Sequence, residues 1–355
     1  MNENTKRTTK KLITDGIKVL SFILVFVILL ELLSATIFSK SSATTYKNKF
    51  KNAYNFVNEV EDTIDIVALG NSNMYSAIIP VRLWDKKGYT STVVASPRQS
   101  VSLCYELLNE VTQTQSPKFV ILETDTFYEG VELNTDLVDG EPAEKDYLKF
   151  VPYISDNYLS EAVQNRFSVF LFHDRWKKMI PNPKNKEKNT NSLDEDYNYN
   201  HGYVFIKKIK KISPNDNMNY TDALEKIPQE AVFYLSKITT FCKDNDIQLM
   251  LITVPSLNTW SYARHNAVKE YADNNNIPYF DFNALEDYEI NYDKDFRDNG
   301  NHMNYYGAKK ITNYIGNYIN ENYSDIIEDK RENADYSYWY DDKERFITAH
   351  EIKKF

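Results

Sequence analysis

Cysteine is nearly missing from this 355-residue chain: there are two, Cys104 and Cys242, each inside an apolar stretch. Two cannot staple a disulfide scaffold. One bridge or two buried thiols would fit, and the apolar flanks favour buried thiols. Glycine is scarce as well, nine in all, and none belongs to a loop of the kind that cradles phosphates. The five histidines and two cysteines show no metal-ligand spacing, so no metal or other cofactor is expected. Basic patches are missing beyond the first eighteen residues, and the net charge is -9. That balance argues against a nucleic-acid binder. There are no internal repeats.

What is present begins with a run of apolar residues, "VLSFILVFVILLELLSATIF", positions 19–38. Crossing a bilayer as a helix takes roughly 20 residues, whereas the apolar part of a cleaved signal peptide has roughly 7 to 15. Ahead of it, Lys6, Arg7, Lys10, Lys11 and Lys18 against Glu3 and Asp15 give a leader of +3. The positive-inside rule keeps that leader (1–18) in the cytoplasm and turns everything after about residue 40 outward. "SSA" at 41–43 leaves processing open, and no cysteine follows the run to carry a lipid. Without the leader and Glu31 the remaining charge is -11, so the outward part is acidic. Glu31 itself sits where ionisable groups are costly. Two readings stay open for it, a place among the outer headgroups or a polar partner on another membrane protein.

Beyond the anchor, residues 39–61 form a juxtamembrane segment. Tyr46, Phe50, Tyr54 and Val57 in "YKNKFKNAYNFVNEVED" (46–62) recur at helical spacing, predicting a short amphipathic helix. Apolar strands then alternate with amphipathic helices. Strands are predicted at 64–70, 89–96, 117–125, 247–255 and 277–282, and helices at 100–114, 229–246, 261–276 and 304–323. This is the grammar of an α/β domain whose mostly parallel sheet is covered on both faces. The domain spans 62–323 and is broken by a polar insertion, 126–228, which holds a predicted helix at 165–178. An insertion leaving the carboxyl end of a strand is placed to cap a ligand-binding edge, as a lid or recognition subdomain; a plain surface loop is the alternative. A charged, aromatic tail (324–355) reads as packing or a partner contact.

The first strand ends "IDIVALGNSNMYS", so Ser72 follows a strand-terminal glycine between two asparagines. Such a turn is unremarkable by composition, yet it also holds a hydroxyl out of the sheet where a substrate can reach it. A nucleophilic serine needs a base. Of His173, His201, His265, His302 and His350, only His302 lies in a loop after the last strand and before a helix, in "DKDFRDNGNHMNYYGAKK" (293–310). Asp293, Asp295 and Asp298 precede it. An acid there can hold the Nδ1 proton and leave Nε2 free to take the serine proton. Loops leaving the carboxyl ends of parallel strands share one edge, where Ser72 and His302 could meet. His173 and Arg175, with Trp176, and His201, with Tyr203, could line a sugar site in the insertion; inert surface histidines are the commoner case. His265 reads as a solvated helix residue.

"LGNSNMYS" and "DNGNHMNYYGAKK" resemble the first and last sequence blocks of the SGNH, or GDSL-like, hydrolase superfamily. The anchored layout is similar to its membrane-bound envelope branch, which includes the D-alanyl transfer protein of teichoic acid modification and proteins that O-acetylate exported polysaccharides. The resemblance implies a three-layer α/β/α, flavodoxin-like fold with Ser72 as nucleophile, His302 as base and an aspartate as orienter. That family pattern is Asp-x-x-His, whereas Asn299 stands three before His302. Asp298 is therefore the expected orienter, with Asp295 the alternate. Family middle blocks supply a Gly and an Asn to the oxyanion hole. Here the second strand ends "ASPRQS", where Pro97 has no N–H, and the third ends "ETD". The candidates left are the N–H groups of Ser72, Asn73 and of Ser96 or Arg98, and the Gln99 side chain. The resemblance implies a serine O-acyltransferase or esterase acting on a cell-envelope glycan or teichoic-acid-like polymer, with a multi-pass membrane O-acyltransferase as companion. A non-catalytic glycan-binding or scaffold protein is the alternative.

Overall fold

The computed structural model describes residues 3–36, 38, 53–129, 167, 169–172 and 199–355. The chain divides into two units, Met1–Lys47 with Glu132–Ser192 and Asn48–Val131 with Leu193–Phe355. In the first, helix α1 (Glu3–Ala35) contains the stretch Lys10–Ala35, 26 residues long and apolar enough to cross a membrane. At 1.5 Å per residue it reaches ~39 Å. Leu20, Phe22, Leu24 and Phe26 lie exposed on different sides of it, as in a helix surrounded by hydrocarbon. Just past its end the Thr36 hydroxyl donates to the Leu32 carbonyl at 2.6 Å. A helical turn, Val169–Phe172, belongs to the same unit, and the Val169 N–H donates to Ser34 Oγ at 3.3 Å. The rest of the helix predicted at 165–178, with His173, Arg175 and Trp176, lies outside the described residues.

The second unit carries five strands: β1 (Ile66–Gly70), β2 (Ser91–Ala95), β3 (Phe119–Glu123), β4 (Gln248–Thr253) and β5 (Tyr279–Asp281). All pair in parallel, in the order β2-β1-β3-β4-β5. Helices α2 (Pro80–Lys87), α3 (Val101–Val111), α4 (Gln229–Asp244), α5 (Tyr262–Asn275), α6 (Tyr305–Asn322) and α7 (Tyr338–Ala349) complete it. Alternation along the strands sends Ile66, Ala68, Val93, Ile121, Met250 and Ile252 into a core shared with Leu83 of α2 and Ile311, Ile315 and Ile319 of α6. The intervening Val67, Leu69, Val120 and Leu122 are equally buried. They face the other side, against α3 and α4. The result is the expected three-layer α/β arrangement, with both ends of the sheet order reached from β1 and the chain reversing direction beside it.

The juxtamembrane helix is not formed in its described part. Residues 53–62 hold one short turn, Asn55–Asn58; Phe56 is buried and Val57 exposed, against the predicted stripe. Residues 46–52 lie outside the described residues. Tertiary bonds hold the chain at the end of the segment: Gln115 Oε1 accepts from the Thr63 and Ile64 N–H groups at 3.0 and 3.1 Å, and Gln115 Nε2 donates to the Val60 carbonyl at 3.0 Å, so no helix continues from it toward β1. Both cysteines are free and buried, and burial pushes the Cys104 thiol up to about 12.

The tail packs. Trp339 of α7 is fully buried and stacks on Trp84 of α2, with ring centroids 5.7 Å apart. On its other neighbour, His201, the rings lie 3.9 Å apart and nearly parallel. The His201 Nδ1–H donates to Glu59 at 3.0 Å, and Nε2 lies 3.3 Å from Asp342. Its carbonyl accepts from the Val93 N–H at 2.8 Å, extending the outer edge of β2. Gly202 follows at φ +84, where a Cβ would lie 2.0 Å from the Val93 carbonyl oxygen, so only glycine fits. His201 is thus a buried staple joining three distant segments. Burial alone would depress the imidazolium, but Glu59 and Asp342 override it and lift its pKa to about 9. A raised histidine pKa stabilises below about pH 6.5, and the gain is lost as pH climbs through 9. Thermal melting of the chain in detergent should therefore fall between pH 6.5 and 9.5, by an amount on the order of 2–3 kcal/mol in stability. In His201→Gln that slope should disappear.

Candidate active site

β1 delivers Ser72. Gly70 ends the strand, and a Cβ built there would lie 2.6 Å from Met74 Cβ and 2.8 Å from Glu123 Cβ. Without a side chain the chain turns at once into the short helix Met74–Ser76. The turn braces itself. Asn71 Oδ1 accepts the Asn73 N–H at 2.9 Å, and the Ser76 hydroxyl donates to the Ser72 carbonyl at 2.6 Å. Asp125, just past β3, binds both flanking side chains: Asn73 Nδ2 donates to its Oδ2 at 3.2 Å and Asn71 Nδ2 at 3.4 Å. The Ser72 side chain is left half-buried at the carboxyl edge, beside the point where strand order reverses.

The other half comes from the loop before α6. An isolated bridge between Phe296 and Met303 closes the loop. Asn304 caps the helix through Oδ1, accepting from the Tyr306 and Gly307 N–H groups at 2.9 and 3.2 Å, while its Nδ2 donates to the Phe296 carbonyl at 3.1 Å. Within the loop Asp298 works with both oxygens. Oδ1 accepts the main-chain N–H groups of Asn301 and His302 at 2.9 and 3.1 Å, and Oδ2 accepts His302 Nδ1–H at 2.5 Å. Since a carboxylate only accepts, Nδ1 carries the proton and Nε2 is the acceptor. Ser72 Oγ lies 2.8 Å from that Nε2. Burial pushes the Asp298 carboxyl up, but the His302 side chain and the main-chain N–H groups outweigh it and bring it to about 2. It stays ionised across the range in which imidazole chemistry operates.

Asp298 stands four residues before His302, one more than the family pattern, and Gly300 takes up the extra residue at φ +95, with its carbonyl accepting the Leu257 N–H at 2.8 Å. Asp295 goes elsewhere. It is buried, and its Oδ2 accepts from the Asn291 N–H and from Lys310 Nζ, both at 2.8 Å. The proposed oxyanion donors divide. Gln99 Nε2 donates to the Val94 carbonyl at 3.0 Å and its Oε1 accepts the Ser96 hydroxyl at 3.0 Å, so both side chains brace the turn after β2. Asn73 N–H is taken by Asn71. The N–H groups of Ser72 and Ser96 carry no hydrogen bond among the described residues. Gly70 pairs with Ala95, which puts the two on neighbouring strand ends.

Of the other histidines, His201 is the staple, and His265 is not simply solvated: its Nδ1 lies 2.8 Å from Asp281 Oδ2, which also accepts from Trp260 Nε1 at 2.8 Å. Composition had no means of finding the acids beneath Ser72. Glu123 is fully buried, and burial with Asp125 close by holds its pKa well above the ordinary carboxylate range. Asp125 is raised to about 6, chiefly by burial. The only signal was the acid pair in "ETD" at a strand end.

No family model matches the chain, and no curated protein matches it. Among solved structures, a GDSL-like lipase from Bacteroides thetaiotaomicron is similar at a TM-score of 0.37 and 12% identity, over 78% of this chain and 98% of that one. A protein from Bacteroides fragilis described as an acylhydrolase is similar at a TM-score of 0.37 and 13% identity, over 78% and 97%.

Two outcomes follow from the geometry. Gly70→Ala should displace the turn against Met74 and Glu123 and lower the stability of the domain by about 1–3 kcal/mol, read by denaturant unfolding. Asp125 behaves the opposite way to an ordinary paired acid. A carboxyl raised in the folded state costs stability as pH rises from about 4 through about 6, and the cost is constant above that. Asp125→Asn keeps an oxygen for the two amides, so it should melt higher than wild type at pH 7.5 by roughly 1–2 kcal/mol in stability, with the gap closing toward pH 4.

Proposed function

We propose that the chain is a serine esterase or O-acyltransferase of SGNH type. The supporting observation is the chain of contacts from Ser72 Oγ to His302 Nε2, 2.8 Å, and from His302 Nδ1 to Asp298, 2.5 Å. His302 takes the serine proton as Oγ attacks an acyl carbonyl, and Asp298 steadies the imidazolium that results. The Ser72 and Ser96 N–H groups receive the developing oxyanion. His302 then returns its proton to the leaving group. A hydroxyl of a sugar or polyol, or water, is deprotonated by the same imidazole and takes the acyl group from Ser72. With α1 as anchor and its basic leader in the cytoplasm, the domain faces outward and acts on a cell-envelope glycan or teichoic-acid-like polymer. Acyl groups reach that side through a membrane partner, and a multi-pass O-acyltransferase fits that need.

The purified full chain should hydrolyse an aryl acetate and become covalently labelled by a fluorophosphonate. Ser72→Ala should lose labelling and lower kcat by a factor on the order of 10⁴, and Asp298→Asn should cost a similar factor with Ser72 still present. Equal rates in wild type and Ser72→Ala would favour the non-catalytic glycan-binding reading.

A further inference from the structure

Between α2 and α6 lies a cavity of about 270 Å³ whose wall contains Arg82, Lys86, Lys87, Asn313 and Asn317, and no acidic residue. Arg82 is 6% exposed, and its Nε donates to Asn313 Oδ1 at 2.7 Å. Its Nη1 is shut away from water and has no acceptor. The ring of Phe355 lies over the guanidinium, 5.6 Å to its centroid. A buried cationic donor without an acceptor is an expensive arrangement. The nearby acid, Asp85, does not relieve it, because it is held 2.7 Å from Lys86 and 2.7 Å from Lys343. Lys87, Lys309 and Lys354 make no ion pair among the described residues. Burial lowers the Lys309 pKa, and Arg82, Lys86 and Lys354 lower it further by crowding like charge around it. In a chain of net charge -9, Lys86 has Asp85 beside it while Arg82 and Lys87 line the pocket without a carboxylate of their own among the described residues.

We propose that this cavity is a binding site for a phosphate group, free or carried as an ester on a small polyol. Donors stand on two opposing helices, guanidinium and ammonium from α2 and carboxamides from α6. A tetrahedral oxyanion with three or four acceptor oxygens uses both walls, whereas a planar carboxylate is satisfied by a guanidinium fork alone. The volume suits one phosphate with a few carbon atoms, and a recess between two packed helices is no flat surface for a membrane. The site lies outside the Ser72 loop and stands whatever reaction that serine performs.

The test is calorimetric titration of inorganic phosphate into the full-length chain in neutral detergent at fixed ionic strength. Saturable one-site binding is expected, competed by glycerol 3-phosphate and not by acetate at the same concentration. Lys87→Gln should weaken it three- to tenfold. Asn317→Asp, an exposed change that puts negative charge on the α6 wall, should weaken it tenfold or more. Arg82→Lys should lose at least as much. Because Arg82 also holds Asn313, the Lys87 and Asn317 variants decide the matter if Arg82→Lys fails to fold. Absence of saturable binding, equal competition by acetate, competition only from micelles doped with phosphatidylglycerol, or unchanged affinity in both the Lys87 and Asn317 variants would overturn the proposal.

Discussion

The close approach at Gly70 is the constraint on which the rest of the site depends. β1, the Met74 turn and β3 converge within a distance that leaves no room for a Cβ, and only that convergence brings Asp125 under the two asparagines that flank Ser72. Loosen it and the hydroxyl keeps its place in the chain but loses its direction. The carboxyl side chains beneath the turn follow from the same crowding. Packed too deeply for water to solvate them, Glu123 and Asp125 hold protons far more tightly than exposed acids do. Glu123, the deeper of the two, is held the more strongly in its neutral form.

The second requirement is that two loops separated by 230 residues arrive at one edge. The parallel sheet does most of this, since every carboxyl end faces the same way. A strap does the rest. Residues 203–212 run between the two loops: the Val204 N–H donates to the Tyr75 carbonyl at 2.9 Å, and the Lys210 N–H to the Phe296 carbonyl at 2.8 Å. One end of this strap is held by the buried His201 staple, and Ile206 near its middle accepts the Tyr305 N–H at 2.9 Å as α6 begins. Serine loop, strap, histidine loop and C-terminal helix are therefore one connected structure, in which packing and ion pairing share the work.

Much of the second unit was legible because its elements obey simple periods. Strands 64–70 and 247–255 shrink only at their ends to Ile66–Gly70 and Gln248–Thr253, and the helix at 304–323 becomes Tyr305–Asn322. Continuous apolar runs and amphipathic spacing survive folding because burial selects for them. The juxtamembrane stripe failed for the reverse reason. Tyr54 and Val57 have helical spacing, yet Tyr54 is buried and Val57 exposed, and just beyond them Gln115, over fifty residues away, holds the backbone at Val60 and Thr63. Gln99 was a suitable donor by type. Its side chain is spent inside the β2 turn, on the Val94 carbonyl and the Ser96 hydroxyl, and no count of residue types reveals that.

From the residues alone came the α/β class, the apolar span, and the pairing in principle of a strand-end serine with a pre-helix histidine. Each rests on local pattern, where side-chain type and spacing act over a few positions. Tertiary structure alone decided which aspartate orients His302. Asp295 and Asp298 are equivalent acids a few residues apart, but Gly300 in the left-handed region turns Asp298 back toward the imidazole, while Lys310 draws Asp295 into the protein. It alone also produced the His201 staple and the unneutralised Arg82. Electrostatic environment is a property of groups brought together from far apart in the chain, and local sequence carries no record of that distance.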